Sequence, residues 1–154
     1  MFAAIPLCGR LPPSDYHNSL AGSGMLNHLL VAVGGGLGAL LRYRVGIAMK
    51  SLLPGYVASG TLIVNVIGSL AIGYSLGVSQ DSKTISESAR LFFIVGILGG
   101  LTTFSSLVHE TATLTNTPEA GLVAGLGHLS ANVIFGLGAV WLGAWCARGV
   151  HTGL

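Results

Sequence analysis

Four stretches of this chain, residues 26–48, 57–78, 91–114 and 120–146, are each long and apolar enough to cross a bilayer, because a span needs about 20 mainly apolar residues. Lipid offers a polypeptide no hydrogen bonds, so runs of this length must be helices that satisfy their own backbone. Composition agrees. Of 154 residues, 51% are hydrophobic and 8% charged, and mean hydropathy is +0.76, whereas a soluble domain carries about 25% charged residues. An all-α integral membrane protein with four transmembrane helices follows, as one domain over residues 25–150. The net charge of +2 comes from scattered basic residues and gives no basis for nucleic-acid binding. Cys8 and Cys146 stand near opposite ends and match no metal-ligand spacing.

The connections are short. Arg42, Tyr43 and Arg44 stand near the end of the first span, and Pro54-Gly55 predicts a turn. SQDSKTISESAR (79–90) is the one clearly aqueous stretch between spans, and Thr84 with Glu87 has capping-box spacing. Thr117-Pro118 reads as a helix N-cap followed by proline at the first helical position. Trp141 and Trp145 fall where an interfacial belt belongs. Residues 1–24 hold three prolines and lack the basic region of a signal peptide. They are expected to be a disordered tail or to precede the true start at Met25.

Orientation is balanced. Beyond Met25, one side would carry Lys83, Arg90 and Arg148, and the other Arg42, Arg44 and Lys50. The positive-inside rule then gives no bias, and a chain without bias can insert both ways and pair antiparallel. Glycine is abundant, at 24 residues. In helices exposed to water each would cost roughly 1 kcal/mol relative to alanine, but in lipid glycines let backbones approach closely. The run GGG at 34–36 has no preceding strand and no Gly-Lys-Ser/Thr after it, so it is a packing feature and no nucleotide loop.

Polar residues inside the spans carry the functional signal. Asn65 lies mid-span in GTLIVNVIGSLAIG (60–73), with Thr61 and Ser69 one turn away on the same face. An unpaired amide in hydrocarbon is costly, so Asn65 marks either a helix–helix hydrogen bond or a pathway. The third span contains GILGGLTTFSSLVHE (96–110). There Thr102, Ser106 and His109 share one helical line and Thr103, Ser106 and Glu110 a second, with Ser105 beside them. Hydroxyls in such a helix can merely bond back to carbonyls one turn earlier. Gly99-Gly100 instead predicts an interrupted helix, tolerated at membrane depth only where protein or a water-filled cavity takes up the freed groups. In the fourth span His128 and Asn132 are four apart; His128 reads more simply as a packing residue with one partner.

GGGLGALLRY (34–43), GTLIVNVIGSLAIG (60–73) and GILGGLTTFSSLVHE (96–110) together resemble the small four-span fluoride channels, the Fluc/CrcB family. The resemblance implies an antiparallel, dual-topology homodimer with two anion pores in the cell inner membrane, some members working as heteromers of two chains. It also implies a structural Na⁺ at the dimer centre, held by backbone carbonyls at Gly99 and Thr102. Asn65 matches the family's pore asparagine, and Phe104 the first phenylalanine of a paired aromatic gate. Ser105, Ser106 and Glu110 match its polar track, and Arg42 the arginine ending the first span. Leu107 departs from the pattern, standing where a second phenylalanine is usual. No tyrosine is found in the fourth span; His128 stands in its neighbourhood.

The residues make physical sense of a fluoride pore. A small, tightly hydrated anion needs hydrogen-bond donors in place of its water, and Asn65, Thr103, Ser105 and Ser106 supply an amide and hydroxyls. A phenylalanine ring has a positive edge, which Phe104 can turn toward an anion without a full charge. What the resemblance implies is passive export of F⁻, with no enzymatic chemistry. A proton-coupled four-span exporter would need an intramembrane carboxylate, and the first two spans have none. An intramembrane hydrolase using Ser105 and His109 would lack an orienting third group.

Overall fold

The computed structural model describes residues 24–54, 59–78, 85–118 and 121–151. Its elements are α1 (Gly24–Leu52), α2 (Ser59–Val78), α3 (87–101), α4 (Phe104–Thr115) and α5 (Gly121–His151). Four helical spans are long and apolar enough to cross a membrane, with α3 and α4 forming one of them. Among the described residues there is no strand. The tail assigned to residues 1–24 falls, but for Gly24, outside the described residues.

The helices run beyond the apolar windows at several ends, since backbone hydrogen bonding continues where side chains turn polar. One start differs from expectation. The helix after the aqueous loop is capped by Ser86, whose side chain accepts from the Ala89 amide at 3.2 Å; Thr84 lies outside the described residues. Thr117 follows α4, and residues 119–120, whose amides it would cap, lie outside the described residues. Its hydroxyl donates back to the Thr113 carbonyl at 2.9 Å, closing α4, and α5 starts four residues later at Gly121 with φ +61°.

Glycines build two tight crossings. In the first, α1 lies on α3: a Cβ at Gly34 or Gly38 would run into the Phe92 or Ile97 carbonyl, and one at Gly100 into the Gly35 carbonyl. In the second, α2 lies on α5: a Cβ at Gly73 would meet the Val140 carbonyl, and one at Gly143 the Leu70 carbonyl. Backbone-to-backbone contact of this kind replaces a hydrophobic drive that lipid cannot supply. α4 packs on α5 as well. Residues Arg90–Leu98 of α3 wind as a π-helix, wider than an α-helix, and it ends at Gly99 just before the chain breaks.

The third span breaks later than the glycine pair suggests. Gly99–Leu101 remains helical, and the interruption is at Thr102 and Thr103, with φ/ψ of −78°/152° and −153°/125°. Flexible glycines permit a break, but its position is decided by whatever captures the freed backbone groups. That captor is Asn65.

Candidate functional site

Thr103 is extended, so its N–H and C=O project toward the same side. The Asn65 carboxamide takes both: its Oδ1 accepts from the Thr103 N–H at 2.8 Å, and its Nδ2 donates to the Thr103 carbonyl at 3.2 Å. One side chain on α2 thus replaces the helical partners that Thr103 gave up. Asn65 Nδ2 also donates to Asn132 Oδ1 on α5 at 3.0 Å. Asn132 is buried, and its own Nδ2 donates to the His128 carbonyl at 3.0 Å.

The Thr103 side chain starts α4. Its Oγ1 accepts from the Ser106 amide at 3.2 Å and lies 3.1 Å from Ser105 Oγ and 3.3 Å from Ser106 Oγ. The Thr103 hydroxyl therefore bonds to both serine hydroxyls. Thr102 is different. Its hydroxyl bonds back to the Leu98 carbonyl at 3.0 Å, one turn earlier.

Glu110, one and two turns further along α4, reaches α2 and α5. Its Oε1 accepts from Thr61 Oγ1 at 2.6 Å, the short distance of a charge-assisted hydroxyl bond. Its Oε2 lies 3.3 Å from His128 Nε2, without hydrogen-bond alignment. Arg42 on α1 points at the break and donates to the Thr102 carbonyl at 3.4 Å.

Two cavities flank this junction. One of about 370 Å³ is lined by Arg42, Tyr43, Lys50, Thr61, Ser106 and Glu110 among others. The other, about 310 Å³, is lined by Asn65, Ser69, Thr102, Thr103, Phe104 and Asn132 together with Leu107. Thr103 and Ser106, in mutual contact, lie on opposite sides of the boundary. Phe104 is 75% exposed on the open side of the second cavity, whereas Leu107 is 5% exposed and packs inward. The leucine thus serves as core here.

The structure brings together Asn65, Thr103, Ser105, Ser106, Glu110 and Arg42. It separates His109, which is exposed on α4 away from the polar line. The helical line drawn through Thr102, Ser106 and His109 fails because the chain is extended at Thr102 and Thr103. His128 is buried, as a packing residue would be, but the group it faces is the Glu110 carboxylate. Asn132 and Thr61 belong to the site, and their i, i+4 spacing from His128 and Asn65 was the available signal. At the break, the Thr103 N–H that would bond to the Gly99 carbonyl in an unbroken helix goes to Asn65, which releases the Gly99 carbonyl from that bond, whereas the Thr102 carbonyl accepts from Arg42.

Residues 29–144 match the family described as CrcB-like protein, Camphor Resistance (CrcB). The chain is 46% identical over 125 residues to the "Fluoride-specific ion channel FluC" of Roseiflexus sp. (strain RS-1), covering 80% of this chain and 98% of the relative. It is 42% identical over 132 residues to the protein of that name in Hyphomonas neptunium, covering 83% of this chain and 100% of the relative. For the Thermotoga maritima protein the figure is 37% over 125 residues, covering 80% and 96%.

Proposed function

The chain belongs to the CrcB-like protein family, and from that premise we propose that it is a passive, fluoride-selective channel that lets F⁻ leave the cytoplasm across the inner membrane. It is a multi-pass membrane protein and no enzyme. The observation that carries the reading is the Asn65–Thr103 clamp: a broken membrane helix held open by one amide, with hydroxyl donors gathered at the opening.

Fluoride gives up its hydration only to donors that replace it. The cavity bearing Arg42 and Lys50 collects the anion from water. Beyond it, Ser106, Ser105 and Thr103 hydroxyls can each rotate a hydrogen toward the ion. The Asn65 amide lies at the next step, where Phe104 offers its ring edge. Neutral donors bind weakly enough to release the ion, which a channel requires. Hydrogen fluoride enters cells as a neutral acid and dissociates inside, so a passive route suffices to discharge the anion. Fluoride-electrode measurements on liposomes reconstituted with this chain are expected to show efflux well above that of protein-free vesicles. Replacing Phe104, whose ring makes few contacts in the monomer, with isoleucine should leave folding intact and cut efflux roughly three- to tenfold, the worth of a ring-edge contact.

An antiparallel homodimer is part of the proposal. Among the described residues only Val64, Leu107, Ala139 and Ala147 are buried apolar side chains, so most of the apolar surface of one copy is open to lipid or to a second copy. A second copy also completes the cation site, since two carbonyls, from Gly99 and Thr102, are too few for a hard cation. Four from two copies, with no anionic side chain among them, suit Na⁺. When bound, that ion would tie the two broken helices together and raise the local potential. Exchanging Na⁺ for N-methylglucamine during purification is expected to weaken the dimer, by about 2.7 kcal/mol if Na⁺ stood a hundredfold above its dissociation constant. Dimer dissociation in detergent, followed by size-exclusion chromatography, measures it. Efflux appearing only with a second, related chain present would assign the chain to a heteromer instead.

A further inference from the structure

We propose that His128 and Glu110 form a proton-binding site in the wall of the fluoride pathway, and that a proton there raises fluoride conduction. The inference rests on the channel reading above.

Its first support is an orientation chain that ends at the histidine. The Thr103 N–H and C=O fix which way round the Asn65 amide sits. Asn65 Nδ2 then fixes Asn132, whose oxygen must face it. That leaves the Asn132 NH₂ toward His128 Nδ1, at 3.5 Å. Nδ1 therefore serves as an acceptor, and the resting ring is the neutral tautomer protonated on Nε2. The backbone break thus sets the protonation state of a ring on another helix.

The second support is what the ring faces. His128 Nε2 is 3.3 Å from Glu110 Oε2, and the histidine side chain is 93% buried, being 7% exposed. Neither atom has an aligned hydrogen-bond partner. From α2 the facing group is the Thr61 hydroxyl on Glu110 Oε1, which carries no charge. From α1 the charged or titratable groups are Arg42, Lys50 and Tyr43, which share the larger cavity with Glu110. On α5 the neighbour is Asn132. The resting pair therefore leaves the Glu110 carboxylate without a partner charge from α5, beside the cavity an anion must enter.

Adding a proton at Nδ1 gives an imidazolium directly opposite the carboxylate. It sacrifices the long 3.5 Å contact to Asn132, while Asn132 keeps its bonds to the His128 carbonyl and to Asn65. The imidazolium would then stand 3.3 Å from the Glu110 carboxylate, where opposite charges attract. Repulsion of entering F⁻ falls. Histidine is the side chain whose ordinary ionisation lies between pH 5 and 8. Acid conditions are also those in which hydrogen fluoride crosses membranes fastest, so the response has the useful sign.

The test is fluoride efflux from proteoliposomes under a clamped membrane potential, at symmetric pH from 8.0 down to 5.5, corrected for the leak of protein-free vesicles. Wild type is expected to rise roughly fivefold. His128→Gln, which keeps a donor but cannot titrate there, should be flat at the low, alkaline rate. Glu110→Gln, which removes the charge being compensated, should be flat at the high, acid rate. These opposite plateaus are what a merely structural role would not produce. His28→Gln, altering an exposed histidine in the first turns of α1, should keep the wild-type profile. A flat wild-type profile overturns the inference and leaves the channel reading standing, as does a full rise in His128→Gln. Wild type with no efflux at any pH, either alone or with a second, related chain, overturns the channel reading and this inference with it.

Discussion

Asn65→Ala is expected to abolish fluoride efflux from fluoride-loaded vesicles containing the reconstituted chain. The substitution leaves the Thr103 N–H, the Thr103 carbonyl and Asn132 Oδ1 without the partner that served all three. Each buried polar group so abandoned costs about 1–3 kcal/mol. The chain can recover part of that by closing the break, giving the Thr103 N–H back to the Gly99 carbonyl. Either way the donors at the opening are lost, and the pathway suffers an efflux drop of about 100-fold or more at 1.4 kcal/mol per decade. Asn65→Asp keeps the acceptor for the Thr103 N–H but puts a carboxylate in an anion's path, and it should be equally silent. Efflux from either variant within a factor of about three of wild type would remove Asn65 from the pore.

Gly38→Leu is expected to prevent assembly of the fold rather than slow transport. A Cβ at Gly38 would collide with the Ile97 carbonyl, and Leu101 N and Gly100 C also lie within 3.0 Å of it. These are backbone atoms and cannot rotate away. α1 must move off α3, which also withdraws Arg42 from the Thr102 carbonyl. Overpacking a core costs typically about 1–3 kcal/mol, and a backbone clash belongs at or above the upper end. The measurement is the fraction of protein that elutes as a single species in detergent and its melting midpoint. Gly35→Ala or Gly36→Ala, at positions where a Cβ meets nothing within 4 Å, should behave as wild type. A variant at Gly38 that eluted and melted normally would contradict the described α1–α3 crossing.

The site was legible to different depths. Asn65, Thr103, Ser106 and Glu110 stood out because polar groups in a membrane span need partners, and the structure shows them partnered. Arg42 was legible from the resemblance, and its contact with the break explains its place. Leu107 stood out as a departure from the family's pattern, and in three dimensions it is one of the few buried apolar side chains among the described residues. His128 was weighed as packing because sequence distance hides the Glu110 carboxylate, which arrives from a different helix 18 positions earlier. The break was misplaced for a related reason. Glycine raises the flexibility of a helix wherever it occurs, but a backbone leaves the helix where another group receives its N–H and C=O.

What the sequence determined by itself was the solvent and the element type: long apolar runs with few charges leave no stable alternative to helices in lipid. It also determined that close crossings were possible, through glycines spaced along the spans. Which glycine met which carbonyl, that one amide holds Thr103 open, and that a histidine faces a carboxylate were decided only in three dimensions. The reason is range. Hydropathy and helix formation act on residues a few positions apart, while these contacts join residues 18 to 73 positions apart, from His128 with Glu110 to Gly143 with Leu70.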